Sequence, residues 1–201
     1  MAGCACDRSR QGYTSARTAL EAFSGRRGDG VPGMNLREYR QALGQELQGI
    51  RRRMNIGFLD LCRRLNLSPA QVSRILNGEV WLRAYVLARF GLIFGLRPST
   101  ILAMAEAQLG LGPRPKADPP PRAPVSALDY CRRIGEAVRR FRKTLRLSEA
   151  AFARRMGMSQ GQVSRLERGE QGLRFRTLCR LAEALGLRPA ELLEAAEPRV
   201  R

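Results

Sequence analysis

The sequence predicts an all-α fold: two copies of one small five-helix domain, joined by a proline-rich linker. The first observation behind that expectation is an internal repeat. Gln71-Val72-Ser73-Arg74 returns 91 positions later as Gln162-Val163-Ser164-Arg165, and the same offset, without a gap, pairs 35–106 with 126–197 at 23 identities in 72 positions. That period exceeds the roughly 20–50 residues of stacked solenoid repeats, so two domains are expected, not an array. The second observation is apolar spacing of three and four, the period of a helix buried on one side. The third is punctuation: Ser, Asn, Gly and Pro fall where short helices start and stop, and no stretch reads as a strand.

Taken in order, residues 1–33 hold a short helical pattern at 16–23, then a Gly-rich break, GRRGDGVPG. This reads as a poorly ordered or weakly helical tail, with Met34 as an alternative start of translation. The first domain is placed at 35–109. Asn35-x-x-Glu38 predicts a capping box, as does Ser126-x-x-Asp129 in the second copy. Behind these caps, Leu36, Tyr39, Leu43, Leu47, Ile50 and Met54 mark the inner face of a first helix, and Tyr130, Ile134, Val138, Phe141 and Leu145 mark its counterpart. Ser148 caps a second helix in copy two, closed by Gly157, with Asn66 as the matching left-handed residue in copy one. Ser68 and Ser159 cap third helices that end at Gly78 and Gly169. A fourth helix near 174–185 stops at Gly186, and Pro98 and Pro189 start the fifth pair at the first helical position.

Between the copies, 110–125 carries six prolines, at 113, 115, 119, 120, 121 and 124. Such a spacer is semi-rigid polyproline II at about 3.1 Å per residue. Its span of roughly 45 Å exceeds the ~34 Å between successive turns of one DNA groove, so both domains are free to engage one duplex. The second domain is placed at 126–201.

The net charge is +18, from 36 basic and 18 acidic residues, and both repeats share the excess. A field of that sign attracts a polyanion such as nucleic acid. Compositional drift explains part of it, because 34 of the 36 basic residues are Arg. No run of 18 apolar residues appears, and Asp7, Arg8 and Arg10 interrupt the start before any secretion signal forms, so a cytoplasmic, nucleoid-associated protein without a membrane is expected. Five cysteines and no histidine suggest neither a disulfide framework nor a metal site, and no cofactor is implied. Cys62, Cys131 and Cys179 read as small buried hydrophobes.

Helix, turn with Gly157, helix, then SQGQVSRLERG and GLRPAELL, together resemble the phage-repressor and Cro type (XRE family) helix-turn-helix domain, a lambda-repressor-like five-helix fold. The likeness spans nearly all of 126–197 and, less completely, 35–106. It implies double-stranded DNA as partner, with one helix crossing the phosphates and the next in the major groove. It further implies that Gln160, Gly161 and Arg165 face bases, that Ser159 and Gln162 touch phosphate, that Ser164 lies near the backbone, and that Arg168 reaches phosphate or the adjacent minor groove. Arg142 and Glu167 match a structural ion pair of the family. Glu149 stands where the family often has Gln, and is unhelpful near phosphate unless a neighbouring Arg pairs with it.

Copy one departs further. Pro69 and Ala70 replace Gln160 and Gly161, Leu76 replaces Glu167, and Ser68, Gln71, Ser73 and Arg74 remain as its DNA-facing set. Trp81, Tyr85, Leu92 and Ile93 add apolar bulk on both sides of one helix, read either as a protein interface or as an enlarged core.

The expectation is a sequence-specific transcriptional regulator, most simply a repressor, with 159–167 as recognition helix and the first repeat as second DNA contact or pairing module. Pairing is expected as a homodimer or as an intrachain pseudo-dimer. An adaptor or antitoxin-like protein with a protein partner is the alternative, and non-specific DNA coating a third. No catalytic residue is assigned: histidine is absent, no Ser or Cys sits in a nucleophile motif, and most of the glutamates fall at helix positions where a solvated face is the usual explanation.

Overall fold

Helix-forming segments separated by capping residues fold as the periodicity predicts. The computed structural model describes residues 35–115 and 126–197. The helical pattern at 16–23, Met34 and the linker from 116 to 125 lie outside the described residues. Among those described, ten α-helices form and no strand does. The first repeat contains α1 (Leu36–Arg53), α2 (Phe58–Leu65), α3 (Pro69–Leu76), α4 (Ala84–Phe94) and α5 (Pro98–Gln108). The second contains α6 (Ala127–Thr144), α7 (Glu149–Met156), α8 (Gln160–Glu167), α9 (Phe175–Leu185) and α10 (Pro189–Ala196). No single described helix is long and apolar enough to cross a membrane.

The caps explain the boundaries, with one correction. At Asn35 the side chain accepts from Arg37 N–H (3.0 Å) and donates to Glu38 Oε1 (2.9 Å), so Glu38 never reaches the cap backbone. At Ser126 the hydroxyl accepts from Asp129 N–H (3.0 Å) and donates to Asp129 Oδ2 (2.6 Å), because the Asp side chain is too short to reach back. The reciprocal boxes sit instead at Ser68/Gln71 and Ser159/Gln162, on the third helix of each repeat. Asn66 (φ 49°) and Gly157 (φ 61°) close α2 and α7 in the left-handed region, as their identities suggest.

Gly44 and Gly135 are required by close approach. A Cβ on Gly44 would lie 2.6 Å from the Leu76 carbonyl oxygen, and one on Gly135 would lie 2.5 Å from that of Leu166. The first helix of each repeat thereby presses against the end of the third, which fixes the third helix against the core. Val72, Ile75 and Leu76 in α3, and Val163, Leu166 and Glu167 in α8, form the buried side of that helix. Leu109 and Leu111 still pack on the core, so packing runs into the segment assigned to the linker. Cys62, Cys131 and Cys179 are free and buried.

The two repeats are docked, and the docking is two-fold. Ala84 N–H donates to the Leu173 carbonyl and Phe175 N–H donates to the Leu82 carbonyl, both at 2.9 Å, forming a short antiparallel bridge centred on Arg83 and Arg174. Helices α5 and α10 pack on each other. Across them, Ala190 N–H donates to Glu106 Oε1 (2.8 Å) and Ser99 N–H donates to Glu197 Oε1 (2.8 Å). Each bond maps onto its partner when the offset of 91 is applied and the copies are exchanged, which is the signature of an isologous interface. Glu106 is wholly buried and also accepts from Tyr39 Oη (2.9 Å) and Arg188 Nη1 (3.2 Å). Burial raises its carboxyl pKa above the ordinary glutamate value. The expectation of solvated glutamates therefore fails at Glu106: its charge is set in the seam and matched by donors from both repeats.

Candidate DNA interface

The site begins with the cap. Ser159 Oγ accepts from Gln162 N–H (3.2 Å), and Gln162 Oε1 accepts from Ser159 N–H (2.8 Å), satisfying two of the donors that a helix start leaves open. From that anchored start α8 turns Val163, Leu166 and Glu167 inward, while Gln160, Gly161, Gln162 and Arg165 are exposed and Ser164 is half-buried. A Cβ added at Gly161 would meet nothing within 4 Å, so the middle of this outer face is open.

Arg142 braces the helix from behind. Its Nε and Nη2 donate to Glu167 at 2.5 and 2.9 Å, and its Nη1 donates to the Leu147 carbonyl at 2.7 Å. Both members of the pair are buried, and the hydrogen bond donated to Glu167, ahead of the carboxylate's charge, raises the Arg142 pKa despite burial. Glu149 Oε1 lies 3.6 Å from the same guanidinium. Glu149 thus has an arginine neighbour. One side chain ties the end of α6, the start of α7 and the end of α8.

Two side chains expected at phosphate have partners within the protein. Arg168 folds back: Nε and Nη2 donate to Glu170 (2.5 and 3.1 Å), and Nη1 donates to Ser164 Oγ (2.8 Å). The cause is a carboxylate two residues on, in the same turn. The hydrogen bond from Arg168 holds the Glu170 carboxyl below its usual range. Both groups are half exposed, so the pair is weak and exchangeable for a phosphate. Gln162 and Gln71, for their part, spend their carbonyl oxygens on the caps, which leaves only their amide N–H groups for a ligand. The Ser-x-x-Gln spacing carries that signal in the sequence.

In the first repeat α3 presents Ser68, Pro69, Ala70, Gln71 and Arg74 as exposed residues, with Ser73 half-buried. Arg74 Nε stands 3.7 Å from Glu79 Oε2, a loose surface pair. Arg51, the counterpart of Arg142, donates to the Ile56 carbonyl (2.9 Å), but Leu76 offers it no carboxylate and its buried Nε has no acceptor. Of the apolar set, Trp81 stacks on Phe175 of the second repeat, with centroids 5.9 Å apart, and Arg40 lies over its ring. Tyr85 and Ile93 are partly buried against the core, and Leu92 is half-buried.

Family models match both repeats at the places the geometry marks. A helix-turn-helix model covers 138–192, and a Cro/C1-type helix-turn-helix DNA-binding domain model covers 46–106, together more than half of the chain. No curated protein and no solved structure matches it. Domains of this kind are typical of DNA-binding regulators that are not enzymes. The chain belongs to the Cro/C1-type helix-turn-helix family, with one such domain in each of its two repeats.

Proposed function

We propose that the protein is a sequence-specific transcriptional regulator that lays α8 in the major groove and acts as a repressor by occupying an operator. The observation that carries this reading is the two-sided character of α8. Its inner side is fixed by the buried Arg142–Glu167 pair, while its outer side offers Gln160, Gly161 and Arg165 without a carboxylate among them. Gln160 suits adenine and Arg165 suits guanine through paired hydrogen bonds in the major groove. The basic excess of the chain supplies the sequence-independent attraction. On this reading the protein works at the nucleoid, in the cytoplasm.

The protein-partner alternative rested on the apolar set around Trp81. Trp81 has an intramolecular use against Phe175, which weakens that alternative. A binding selection from randomised duplex at about 150 mM salt tests the proposal, since non-specific attraction is screened there. Enrichment of one motif is expected, and Arg165→Ala should relax it at one position by ~1–3 kcal/mol. Binding without any enriched sequence would point to non-specific coating and refute the regulator reading.

A further inference from the structure

The docking of the repeats bears on what kind of site is read, and this inference rests on the DNA-binding reading above. We infer that a single chain presents both α3 and α8 to one duplex and recognises a non-palindromic site made of two unlike halves. A two-fold rotation preserves height along its axis. Because the bridge at Arg83 and Arg174 and the Glu106 and Glu197 contacts obey such a rotation, α3 and α8 lie at the same level on opposite sides of it. From Asn77 to Arg83, and from Arg168 to Arg174, six residues reach at most ~20 Å. With about 5 Å across the bridge, the ends of the two helices fall within roughly 45 Å of each other, a range that contains the ~34 Å between half-sites one turn apart.

The seam also selects this pairing over a dimer of identical copies. Trp81 stacks on Phe175, but the position matching Trp81 in copy two is Gly172, and the position matching Phe175 in copy one is Ala84. Bulk therefore meets bulk on one side of the axis, and small residues fall on the other. If two first repeats paired by the same geometry, each Trp81 would face Ala84. If two second repeats paired, each Phe175 would face Gly172. Both arrangements leave the seam underfilled twice, whereas the pairing within the chain fills it once. The seam is occupied inside the chain, so a second copy would have to displace it.

The two reading faces are unlike in a defined way. Arg74 and Arg165 are equivalent and exposed, so each half shares one guanine-type contact. Gln160-Gly161 in α8 is replaced by Pro69-Ala70 in α3, which exchanges an adenine-type hydrogen-bonding contact for apolar contact with a thymine methyl.

The test uses the full chain in a selection from randomised duplex, with the stoichiometry of the selected complex read by sedimentation and native mass. The expected result is one chain per duplex on a two-part motif with unlike halves. Arg74→Ala should flatten one half and Arg165→Ala the other, each by roughly tenfold in discrimination. Circular dichroism checks that these exposed substitutions leave the fold intact. A single motif sensitive to Arg165 but not to Arg74 would overturn the inference while leaving the regulator reading in place, and so would a palindrome bound by two chains. No enrichment at all would remove both.

Discussion

Replacing Glu106 with Ala probes the seam at its most demanding point. The carboxylate is wholly buried and receives Tyr39 Oη, Ala190 N–H and Arg188 Nη1 at 2.9, 2.8 and 3.2 Å. Truncation strands the tyrosine hydroxyl and the backbone amide, at about 1–3 kcal/mol each. Arg188 loses least, because it is partly exposed and keeps Glu191 at 3.0 Å. Relief from carrying a buried carboxylate offsets part of the loss. The net expectation is about 2–4 kcal/mol of destabilisation, concentrated in the coupling between repeats. The assay is urea unfolding followed by two probes. Trp81 is the only tryptophan in the chain and stacks across the seam, so its fluorescence reports docking, while far-UV circular dichroism reports helices. With a slope of ~1–3 kcal/mol per molar urea, the fluorescence midpoint should fall by roughly 1–2 M and separate from the dichroism midpoint. Glu106→Gln keeps one acceptor oxygen and should lose about half as much. Coincident, unshifted transitions in Glu106→Ala would mean that the seam does not hold the repeats together, and the reasoning would fall with it.

Glu167→Leu, which copies the first repeat's residue into the second, should cost about 3–5 kcal/mol in a thermal melt by leaving Arg142 buried without its carboxylate; a loss below about 1 kcal/mol would refute the bracing role. Gly161→Ala should stabilise α8 by ~0.5–1 kcal/mol, since the added methyl meets nothing, and should alter the selected DNA motif if this face reads bases. Arg146 holds φ 54° where the other copy has Asn55 at 52°, so Arg146→Asn should raise stability by up to about 1 kcal/mol, and an unchanged melt would argue against backbone strain there. Glu170→Gln should free Arg168 for phosphate: with its folded pKa lowered, Glu170 keeps the pair intact above the usual carboxylate range and loses it only as pH falls through the lowered value. At neutral pH the variant should bind DNA more tightly and steepen the salt dependence by about one unit of slope.

Much of the fold was legible because each helix is signalled locally. Asn66 and Gly157 sit in the left-handed turns their identities suggest, and Pro98 and Pro189 start helices at the first position. The Arg142–Glu167 pair was legible only through the family resemblance, since no local rule links residues 25 apart. An intrachain pseudo-dimer was one of the expected pairings, but the contacts of its seam were not legible. Aligning the copies relates equivalent positions, whereas contacts across a two-fold join unequal ones, Ser99 with Glu197 and Ala190 with Glu106. A glutamate in the last turn of a helix looks solvated until its neighbour across the axis is known. The Arg168–Glu170 pair was not legible for a related reason: whether an exposed guanidinium points outward depends on the carboxylate two residues away, and only geometry ranks that contact above solvent.

The agreements and differences between the copies divide by role. Gly44/Gly135 and Gly78/Gly169 agree because backbone approaches backbone there, and any side chain would collide in either copy. Glu106/Glu197 and Arg83/Arg174 agree because a two-fold seam uses each position twice. The differences fall where symmetry has to be broken. Trp81 opposite Gly172 and Phe175 opposite Ala84 make the two sides of the seam unequal, and Pro69-Ala70 opposite Gln160-Gly161 make the two exposed helix faces unequal. A chain that paired through a second identical copy would place the same reading face in both halves, so divergence at 69–70 would change both halves together. Fusing the copies frees each face to vary on its own, and the filling of the seam by Trp81 and Phe175 secures the one pairing in which that freedom is used.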